Sequence, residues 1–533
     1  KEFWIRLHER FEPEEVPYGP WYAAYVPDEE TLEKQRKHKF NYAPLISIAV
    51  PAYQTPVEFL KQMIESLISQ TYTGWELCIA NASPDNEEMQ RVLADYSAKD
   101  VRVRFCNLKE NLGIAENTNR AFAMAKGEFM GLLDHDDLLA PNALYEIVNA
   151  LQDHPQADAL YTDEDKVTTD LDEHFQPHLK PDFNLDLLRS NNYICHFFVV
   201  RRSIVEKAGG FRKEFDGAQD YDMFLRLLEK AKRVCHIQKV LNYWRLHAGS
   251  VASGVGAKPY TVEAGRKALE EHLHRENIIG KAYSSELYGP FYTVDYHISK
   301  NDKNLVVVES KQARKFAMQE INKSDLKYDI VGADEFKESQ VSSYDNVIFV
   351  ADGYERYEDS DRENVGKIDK GVFEEVLQCL QPSENVASGA TVYYKKKVYQ
   401  SGYCYDKGLK NFIMPLYSGV PVKDPAYMNR LKFRQNVSLL GKGVFAIKSG
   451  TLLQYLQKSE NKEDLLSNEF YFALCLYIKG KAEKCVVSPL VPLKICSKVK
   501  NTSIKKDFIE IRQKDLTYNA NMNVFGKYYF LWK

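Results

Sequence analysis

From Pro44 onward, short apolar segments alternate with amphipathic ones, and this alternation constrains the fold more than any other feature. The segments "PLISIAVPAY", "WELCIANAS", "VRVRFCNL" and "EFMGLLD" have the length and composition of buried strands. Between them, segments such as "VEFLKQMIESLISQ" place apolar residues at helical spacing. Strands that alternate with helices of about 10–15 residues predict an α/β fold with a parallel, doubly wound sheet. In such sheets, ligands bind at the carboxyl ends of the strands.

The alternation recurs from about residue 304, which indicates an internal repeat. The segment "DYDMFLRLLEKAKRVCHIQKVL" (220–241) aligns without a gap with "FYFALCLYIKGKAEKCVVSPLV" (470–491), at a constant offset of 250. A period this long excludes a solenoid. We therefore predict an N-terminal extension over 1–43 and two related α/β domains in tandem, over 44–290 and 291–533.

Composition narrows the class of protein. A net charge of −4 gives no global reason to expect a nucleic-acid partner, and the chain lacks an apolar run long enough for a transmembrane helix. Its nine cysteines are scattered without a C-x-x-C pair, which favours reduced thiols in a cytoplasmic protein over a disulfide framework or a zinc site. The locally basic segment 494–514 and the aromatic terminus 524–533 are either solvated faces or contacts with an anionic membrane surface.

Acidic residues follow directly on an apolar strand in "FMGLLDHDD" (129–137). Asp134 and Asp136 have the D-x-D spacing of carboxylates that share Mg²⁺ or Mn²⁺ with substrate phosphates. The alternatives are a solvated acidic turn or caps for the following helix. A buried strand that ends on acids is costly without a compensating charge, which favours the metal.

Two further residues are candidates for the same site. Asp220 precedes an amphipathic helix in "GAQDYDMFLRLLEK", where it is either a structural cap or a general base. His247 follows a strand in "YWRLHAGS" and is either structural or a third metal ligand.

Six segments in order carry a resemblance to a known family: "PLISIAVPAYQTP", "SLISQTYTGWELCIANASPDN", "NLGIAENTNRAFAMAKGEFMGLLDHDDLLAPNAL", "YTDEDK", "GGFRKEFDGAQDYDMFLRL" and "YWRLHAGSVA". From about residue 44 to 280 the chain resembles the family 2 inverting glycosyltransferases with a GT-A fold. Among these, it is most similar to bacterial enzymes that build cell-surface polysaccharides of the rhamnan and O-antigen type.

The resemblance implies roles for residues on the donor side. Asp134 and Asp136 would hold Mn²⁺ or Mg²⁺ on the diphosphate, with His247 completing that site. The nucleotide would lie against Pro51, Tyr53, Asn81 and Asp134. Asn81 stands where the family commonly has an Asp against the base, although an amide oxygen can still accept a hydrogen bond from a ring N–H.

On the acceptor side, the resemblance makes Asp220 the catalytic base. It places Asp163, Glu164 and Asp165 of "YTDEDK" toward the acceptor.

The second domain lacks most of this polar set. At the offset of 250, Asp220 and Asp222 become Phe470 and Phe472, and His247 becomes Ser497, while "FVADGY" retains only Asp352. We predict a degenerate GT-A-like domain without catalysis; a second active transferase is the alternative.

The resemblance therefore implies a metal-dependent inverting hexosyltransferase that acts on a UDP- or dTDP-sugar. The acceptor would be a hydroxyl of a growing, lipid-linked bacterial surface polysaccharide, and the enzyme would be cytoplasmic and peripheral at the inner face of the membrane. The alternatives are a metal-dependent phosphohydrolase and a carbohydrate-binding or scaffold protein without catalysis.

Overall fold

A computed structural model describes residues 18–247, 259–285, 290–358, 370–406, 412–459 and 464–496. Two mixed sheets of nine strands each dominate these residues, one in each half of the chain. We call the half before residue 291 the first unit and the rest the second unit.

The first unit begins with two helices, α1 Tyr18–Tyr25 and α2 Glu29–Lys37, which belong to the predicted extension. The strands of its main sheet are β1 Ile46–Ala52, β2 Trp75–Asn81, β3 Val103–Asn107, β4 Phe129–Leu132, β5 Leu138–Leu139, β6 Ala159–Val167, β7 His174–His178, β8 Phe198–Arg201 and β9 Val234–Arg245. The helices between and after them are α3 Val57–Ile68, α4 Glu87–Lys99, α5 Ile114–Met124, α6 Ala143–Asp153, α7 Leu185–Leu188, α8 Arg202–Ala208, α9 Gln219–Leu228 and α10 Pro259–Arg275.

The first sheet has the strand order β3-β2-β1-β4-β8-β6-β9-β5, with β7 beside β6. Strands β3, β2, β1 and β4 are parallel, as predicted. The prediction of a wholly parallel sheet was wrong, because β8 runs antiparallel between β4 and β6, and β5 and β7 are also antiparallel to their neighbours. An apolar run of four residues looks the same in either direction, so the local pattern did not contain this information.

The segment 281–303 follows α10 in the chain. It contains part of a hairpin formed by β10 Gly280–Ser284 and β11 Tyr292–Tyr296. This hairpin packs under α10 and leads into the second unit.

The strands of the second unit are β12 Lys303–Val308, β13 Lys327–Gly332, β14 Asn346–Val350, β15 Tyr354–Arg356, β16 Asn385–Tyr394, β17 Lys397–Gln400, β18 Tyr403–Asp406, β19 Phe412–Pro415, β20 Gln435–Val437, β21 Val444–Lys448 and β22 Lys484–Ile495. Its helices are α11 Lys311–Ile321, α12 Glu338–Val341, α13 Val372–Gln378, α14 Ser449–Lys458 and α15 Asn468–Gly480.

The second sheet repeats the topology of the first. Its order is β13-β12-β14-β21-β16-β22-β15, with β17 beside β16 and β20 beside β22. Each pairing except that of β20 has the direction of its counterpart in the first sheet. Strands β9 and β22 start and end at the sequence offset of 250. Among the described residues, no strand of the second unit corresponds to β3.

Buried polar side chains join the two units. Asn184 and the backbone of Asn436 exchange two hydrogen bonds, of 2.9 and 3.1 Å. The side chains of Asn385 and Asn436 donate to Asp186, at 3.0 and 2.6 Å. All four residues are 5% exposed or less, so these bonds are shielded from water. Helix α1 strengthens the junction, because its Trp21 is buried in the apolar cluster of the second unit.

None of the described helices combines the length and the apolar character needed to cross a membrane. The predicted membrane-contact segments lie outside the described residues, apart from 494–496.

Candidate functional site

The loop after β4 carries the predicted metal-binding acids and is fastened to the end of β9. Asp136 Oδ2 lies 2.9 Å from His247 Nε2, although 111 residues separate the two in sequence. The Arg245 Nε donates to the backbone oxygen of Asp136 at 2.8 Å. The structure therefore brings together Asp136 and His247, as the sequence predicted.

The Arg245 guanidinium makes further contacts that hold the end of β9 in place. It donates to Gln62 Oε1 at 2.7 Å and to the Thr169 carbonyl at 3.0 Å, and it lies 4.3 Å from the ring centroid of Phe59. The Phe59 ring in turn packs on His247, with centroids 5.2 Å apart. The end of β9 is thus held against helix α3.

Asp137, the last acid of the cluster, has a structural role. Its carboxylate accepts the Arg245 N–H at 3.0 Å and a weaker bond from Asn242 at 3.4 Å, and the residue is 1% exposed. Burial raises the pKa of Asp137 well above its usual range. An acid with these partners fixes the loop to β9 rather than contacting a ligand.

Asp134 lies in the loop after β4, where burial and the charge of Asp136 raise its pKa. A carboxylate under such strain is relieved by a bound cation. Among the described residues, however, no three His, Cys, Asp or Glu side chains are grouped as a metal site. The predicted set of Asp134, Asp136 and His247 is therefore not preassembled as three ligands. Mg²⁺ and Mn²⁺ commonly take only one or two carboxylates and complete their coordination with substrate phosphates and water.

Asp220 lies in the first turn of α9, whereas the sequence placed it just before this helix. Burial, and then the charge of Asp134, raise the pKa of Asp220 to about 7, while the positive charge of His196 opposes the rise. A carboxyl whose pKa is near the working pH is suited to accept a proton from a hydroxyl. The N-terminal helical position alone would have lowered the pKa, so the surroundings outweigh the helix dipole.

His196 was not predicted from the sequence, but it lies at the centre of this cluster. Its Nδ1 is 3.1 Å from Glu164 Oε2, and its backbone N–H donates to the same oxygen at 2.5 Å. Glu164 and the other nearby acids raise the pKa of His196 to about 10 despite burial, so the ring is a cation at neutral pH. Its charge acts on Asp134, Asp137 and Asp220. A single His in an apolar run gave no sequence signal, because its acidic neighbours come from distant segments.

The predicted acceptor-side acids occupy different surroundings. Asp163 accepts the Lys180 N–H at 2.7 Å and lies 2.9 Å from His236 Nε2. Asp165 lies 2.9 Å from His174 Nδ1 and accepts the Tyr18 hydroxyl at 2.7 Å. Both side chains are fully buried. The prediction that they face an acceptor was wrong, because their carboxylates are paired inside the protein.

Glu164, like Asp163 and Asp165, is buried, and it is paired with cationic side chains. Its carboxylate binds the buried Lys180 ammonium at 3.1 Å as well as His196, and these charges hold its pKa well below the usual range in spite of burial. It is a buried anion that positions His196, and at 5% exposure it does not present itself to an acceptor either.

The predicted nucleotide-side residues lie at the ends of β1 and β2. Pro51 is buried within β1, and Tyr53 is 45% exposed just after it. Asn81 is buried at the end of β2, where its Nδ2 donates to Asn107 at 2.8 Å and its Oδ1 accepts the Ser83 N–H at 3.1 Å. An amide oxygen has two lone pairs, so one acceptor position of Asn81 remains for a base.

A comparison with known protein families gives a match in the first unit. The profile of glycosyl transferase family 2 matches residues 47–209, a range that includes Asp134, Asp136 and His196. Together with the mixed α/β sheet, this match confirms the predicted GT-A fold of the first unit.

Curated relatives cover about half of the chain. The protein y4gI of Sinorhizobium fredii is 47% identical over 242 residues, which are 44% of this chain and 26% of y4gI. The O-antigen biosynthesis protein RfbC of Myxococcus xanthus is 33% identical over 303 residues, 56% of this chain and 23% of RfbC. The hyaluronan synthase of Pasteurella multocida is 29% identical over 268 residues, 50% of this chain and 26% of the synthase. The matched part of the chain thus spans about a quarter of the length of these three relatives.

A solved structure of TarS residues 1–349 from S. aureus, in complex with UDP-GlcNAc, is similar to this chain with 17% identity and a TM-score of 0.36. The match covers 43% of this chain and 66% of that one.

Proposed function

Since residues 47–209 form a family 2 glycosyltransferase domain, we propose that the chain transfers a sugar from a nucleotide donor to a growing bacterial surface polysaccharide. The observation that carries this proposal is the meeting of Asp136 and His247, 2.9 Å apart, together with a partly exposed Asp220 whose pKa, about 7, is raised by desolvation and by the charge of Asp134. The relative named for O-antigen biosynthesis and the relative named as a hyaluronan synthase support polysaccharide as the product class.

The donor would be a UDP- or dTDP-sugar, bound with its base near Asn81 and Tyr53. Its diphosphate would lie at the loop of Asp134 and Asp136, where Mn²⁺ or Mg²⁺ would be held by these carboxylates and His247. When bound there, such a cation supplies positive charge to the departing nucleotide diphosphate. The two carboxylates are donors that suit Mn²⁺ and Mg²⁺, and the raised pKa of Asp134 fits a position that needs a cation.

Asp220 would act as the general base. Its carboxylate takes the proton of the acceptor hydroxyl as that oxygen bonds to the anomeric carbon, while the bond to the diphosphate breaks on the opposite face. A single displacement of this kind inverts the anomeric configuration. Positive charge at His196 keeps a fraction of Asp220 ionised at neutral pH, which the base requires.

The second unit would have no catalytic role of its own. Phe470 lies in α15 where Asp220 lies in α9, and it is buried in the core. A domain that keeps the sheet but lacks the acids is suited to acceptor binding or to supporting the first unit.

Titration calorimetry tests the proposal on the full chain. We expect UDP, dTDP or GDP to bind in the presence of Mn²⁺ and to bind more weakly when the metal is chelated with EDTA. Turnover would then be screened over a panel of nucleotide sugars by nucleotide release. If no nucleotide binds in Mn²⁺, the transferase proposal is wrong and a binding or scaffold protein is favoured. Release of phosphate from simple phosphoesters would favour a phosphohydrolase instead.

A further inference from the structure

Three side chains form a row across β9, β6 and β7. Lys166 is paired with Trp244 in one neighbouring strand and with Phe175 in the other. Directly paired residues project from the same face of a sheet, so Trp244, Lys166 and Phe175 lie side by side. We call these three residues the β9–β7 row.

The opposite face of these strands is closed. Residues one position away, Tyr243 and Asp165, pair with each other there. Helix α1 covers them: Tyr18 donates to Asp165 at 2.7 Å, and Tyr22 stacks on His174 with centroids 4.0 Å apart. The aromatic side chains of that face are thus used in packing.

The face with the β9–β7 row is open. All three of its residues are partly exposed. Lys166 Nζ lies 5.2 Å from the Trp244 ring centroid. A groove of about 550 Å³ adjoins the row and is lined by Thr168, Thr169, Asp170, Phe175 and Leu246. Partly exposed aromatic rings beside polar side chains are not explained by packing.

The row borders the proposed reaction centre through His196. The His196 ring lies against Trp244, with centroids 4.5 Å apart. Its Nδ1 is held by Glu164, whereas no hydrogen bond to its Nε2 is found in the described part of the chain. A ligand on Trp244 would therefore contact a ring whose charge also acts on Asp220.

We propose that the β9–β7 row, with His196, is the subsite for the acceptor saccharide. One pyranose ring of the acceptor lies with its C–H face on Trp244, and Lys166 and His196 Nε2 donate to its hydroxyls. This inference rests on the proposed transferase function and names the acceptor contacts that Asp163 and Asp165 do not supply. A nucleotide base is a poorer occupant, because the proposed donor residues Asn81 and Tyr53 lie at the ends of β2 and β1, and β4, β8 and β6 separate these from β9 in the sheet.

The second unit lacks this surface at the matching position. Tyr393 pairs with Lys494 there as Lys166 pairs with Trp244. Tyr393 is only 2% exposed, and Lys494 lies 3.5 Å from Glu355. The sheet topology shared by the two units therefore does not by itself require partly exposed aromatic residues at this position.

Ligand-observed NMR and Trp fluorescence on the full chain test the subsite without turnover. The probes are the methyl glycosides of glucose, galactose, mannose, rhamnose, N-acetylglucosamine and glucuronic acid. We expect at least one to bind, Trp244→Ala to weaken its binding at least tenfold, and Trp244→Phe to weaken it less because a ring remains. Lys494→Ala, at the matching position of β22, should leave it unchanged.

Calorimetry with UDP and Mn²⁺ on the same variants separates this inference from the proposed function. Unchanged nucleotide affinity in Trp244→Ala, together with a raised acceptor KM, supports the subsite. Failure of all glycosides to bind the wild-type protein, or equal binding to Trp244→Ala, overturns it. If glycosides bind at Trp244 but no nucleotide binds anywhere, the saccharide site stands and the transferase proposal falls.

Discussion

The two units share one sheet topology and differ at the strand ends. Pairing registers fix the correspondence: Leu138 pairs with Tyr243 in the first unit, and Arg356 pairs with Leu493 in the second. Counting back from these pairs, Asp134 corresponds to Asp352 and Asp136 to Tyr354. Tyr354 is buried in an apolar cluster.

Asp352, the counterpart of Asp134, is used differently. Asp352 accepts the Ser310 hydroxyl at 2.6 Å, and its backbone N–H donates to Glu309 at 2.7 Å. Ser310 also caps the N-terminus of α11. Asp352 therefore has a local structural role, while Tyr354 and Phe470, the counterparts of Asp136 and Asp220, are buried among apolar side chains.

The comparison teaches that the sheet does not need the acids. Phe470 is buried in the core of the second unit. At the matching position of the first unit, desolvation raises the pKa of Asp220, so the charged form of this carboxyl is disfavoured. Apolar side chains at these positions fold without that cost, so the acids of the first unit are retained for something other than folding. This is the expected relation between a functional site and its scaffold.

The largest expected difference between the units is the effect on kcat of removing a carboxylate from the first turn of α9 or of α15. Asp220→Asn should lower kcat by about 10²–10⁴, because the amide cannot take the acceptor proton. Glu469→Gln removes a carboxylate from the first turn of the matching helix α15 and should leave kcat unchanged. Steady-state kinetics with the identified donor measure both. An equal loss of nucleotide affinity in Asp220→Asn would instead mark Asp220 as structural.

The next difference concerns the loops after β4 and β14. Asp136→Asn should weaken UDP binding in Mn²⁺ by about 10–100-fold, because a proposed metal ligand loses its charge. Asp352→Asn is the matched variant and should bind UDP as the wild type does. Titration calorimetry measures the UDP affinity of both variants. A comparable loss of affinity in Asp352→Asn would mean that the second unit has a nucleotide site of its own.

A smaller effect is expected at the junction. Asn436→Ala removes the 2.6 Å bond to the buried Asp186 and should lower the free energy of unfolding by about 1–3 kcal/mol. Asn301→Ala, on an exposed loop, serves as the control. Urea denaturation should show a lower midpoint for Asn436→Ala alone. No change would mean that water replaces the lost donor and that the two units do not depend on this bond.

The smallest effect is a pH dependence of stability. The folded-state pKa of Asp220, about 7, is above its value in the unfolded chain, so the folded protein binds more protons over roughly pH 4–7. Asp220 therefore costs stability as the pH rises through this range. Asp220→Asn should be more stable than the wild type by about 1–2 kcal/mol at pH 8 and equal to it at pH 4, because partial exposure reduces the full linkage value.

Melting temperatures of the two proteins across this range give the test, with Glu469→Gln as the control. A wild type that gains stability relative to Asp220→Asn as the pH rises would contradict the raised pKa.

The sequence by itself determined the elements, the repeat and the position of the acids. Apolar periodicity is local, so the strands around Ile48 and Ile79 and the alignment of β9 with β22 were readable from spacing. The "LLDHDD" pattern likewise located Asp134 and Asp136 at a strand end, where a parallel sheet collects its ligands.

Only the tertiary structure decided which polar residues are buried and paired and which stay partly exposed. In the sequence, Asp163 and Asp165 looked like accessible acids. In the structure, Asp163 is paired with His236 and Asp165 with His174, and helix α1 covers Asp165. His196 and Trp244 read as parts of apolar strands, but they meet on the face that stays open. Side chains alternate between the two faces of a strand, and the sequence pattern shows this alternation. The pattern does not show which of the two faces another part of the chain will cover.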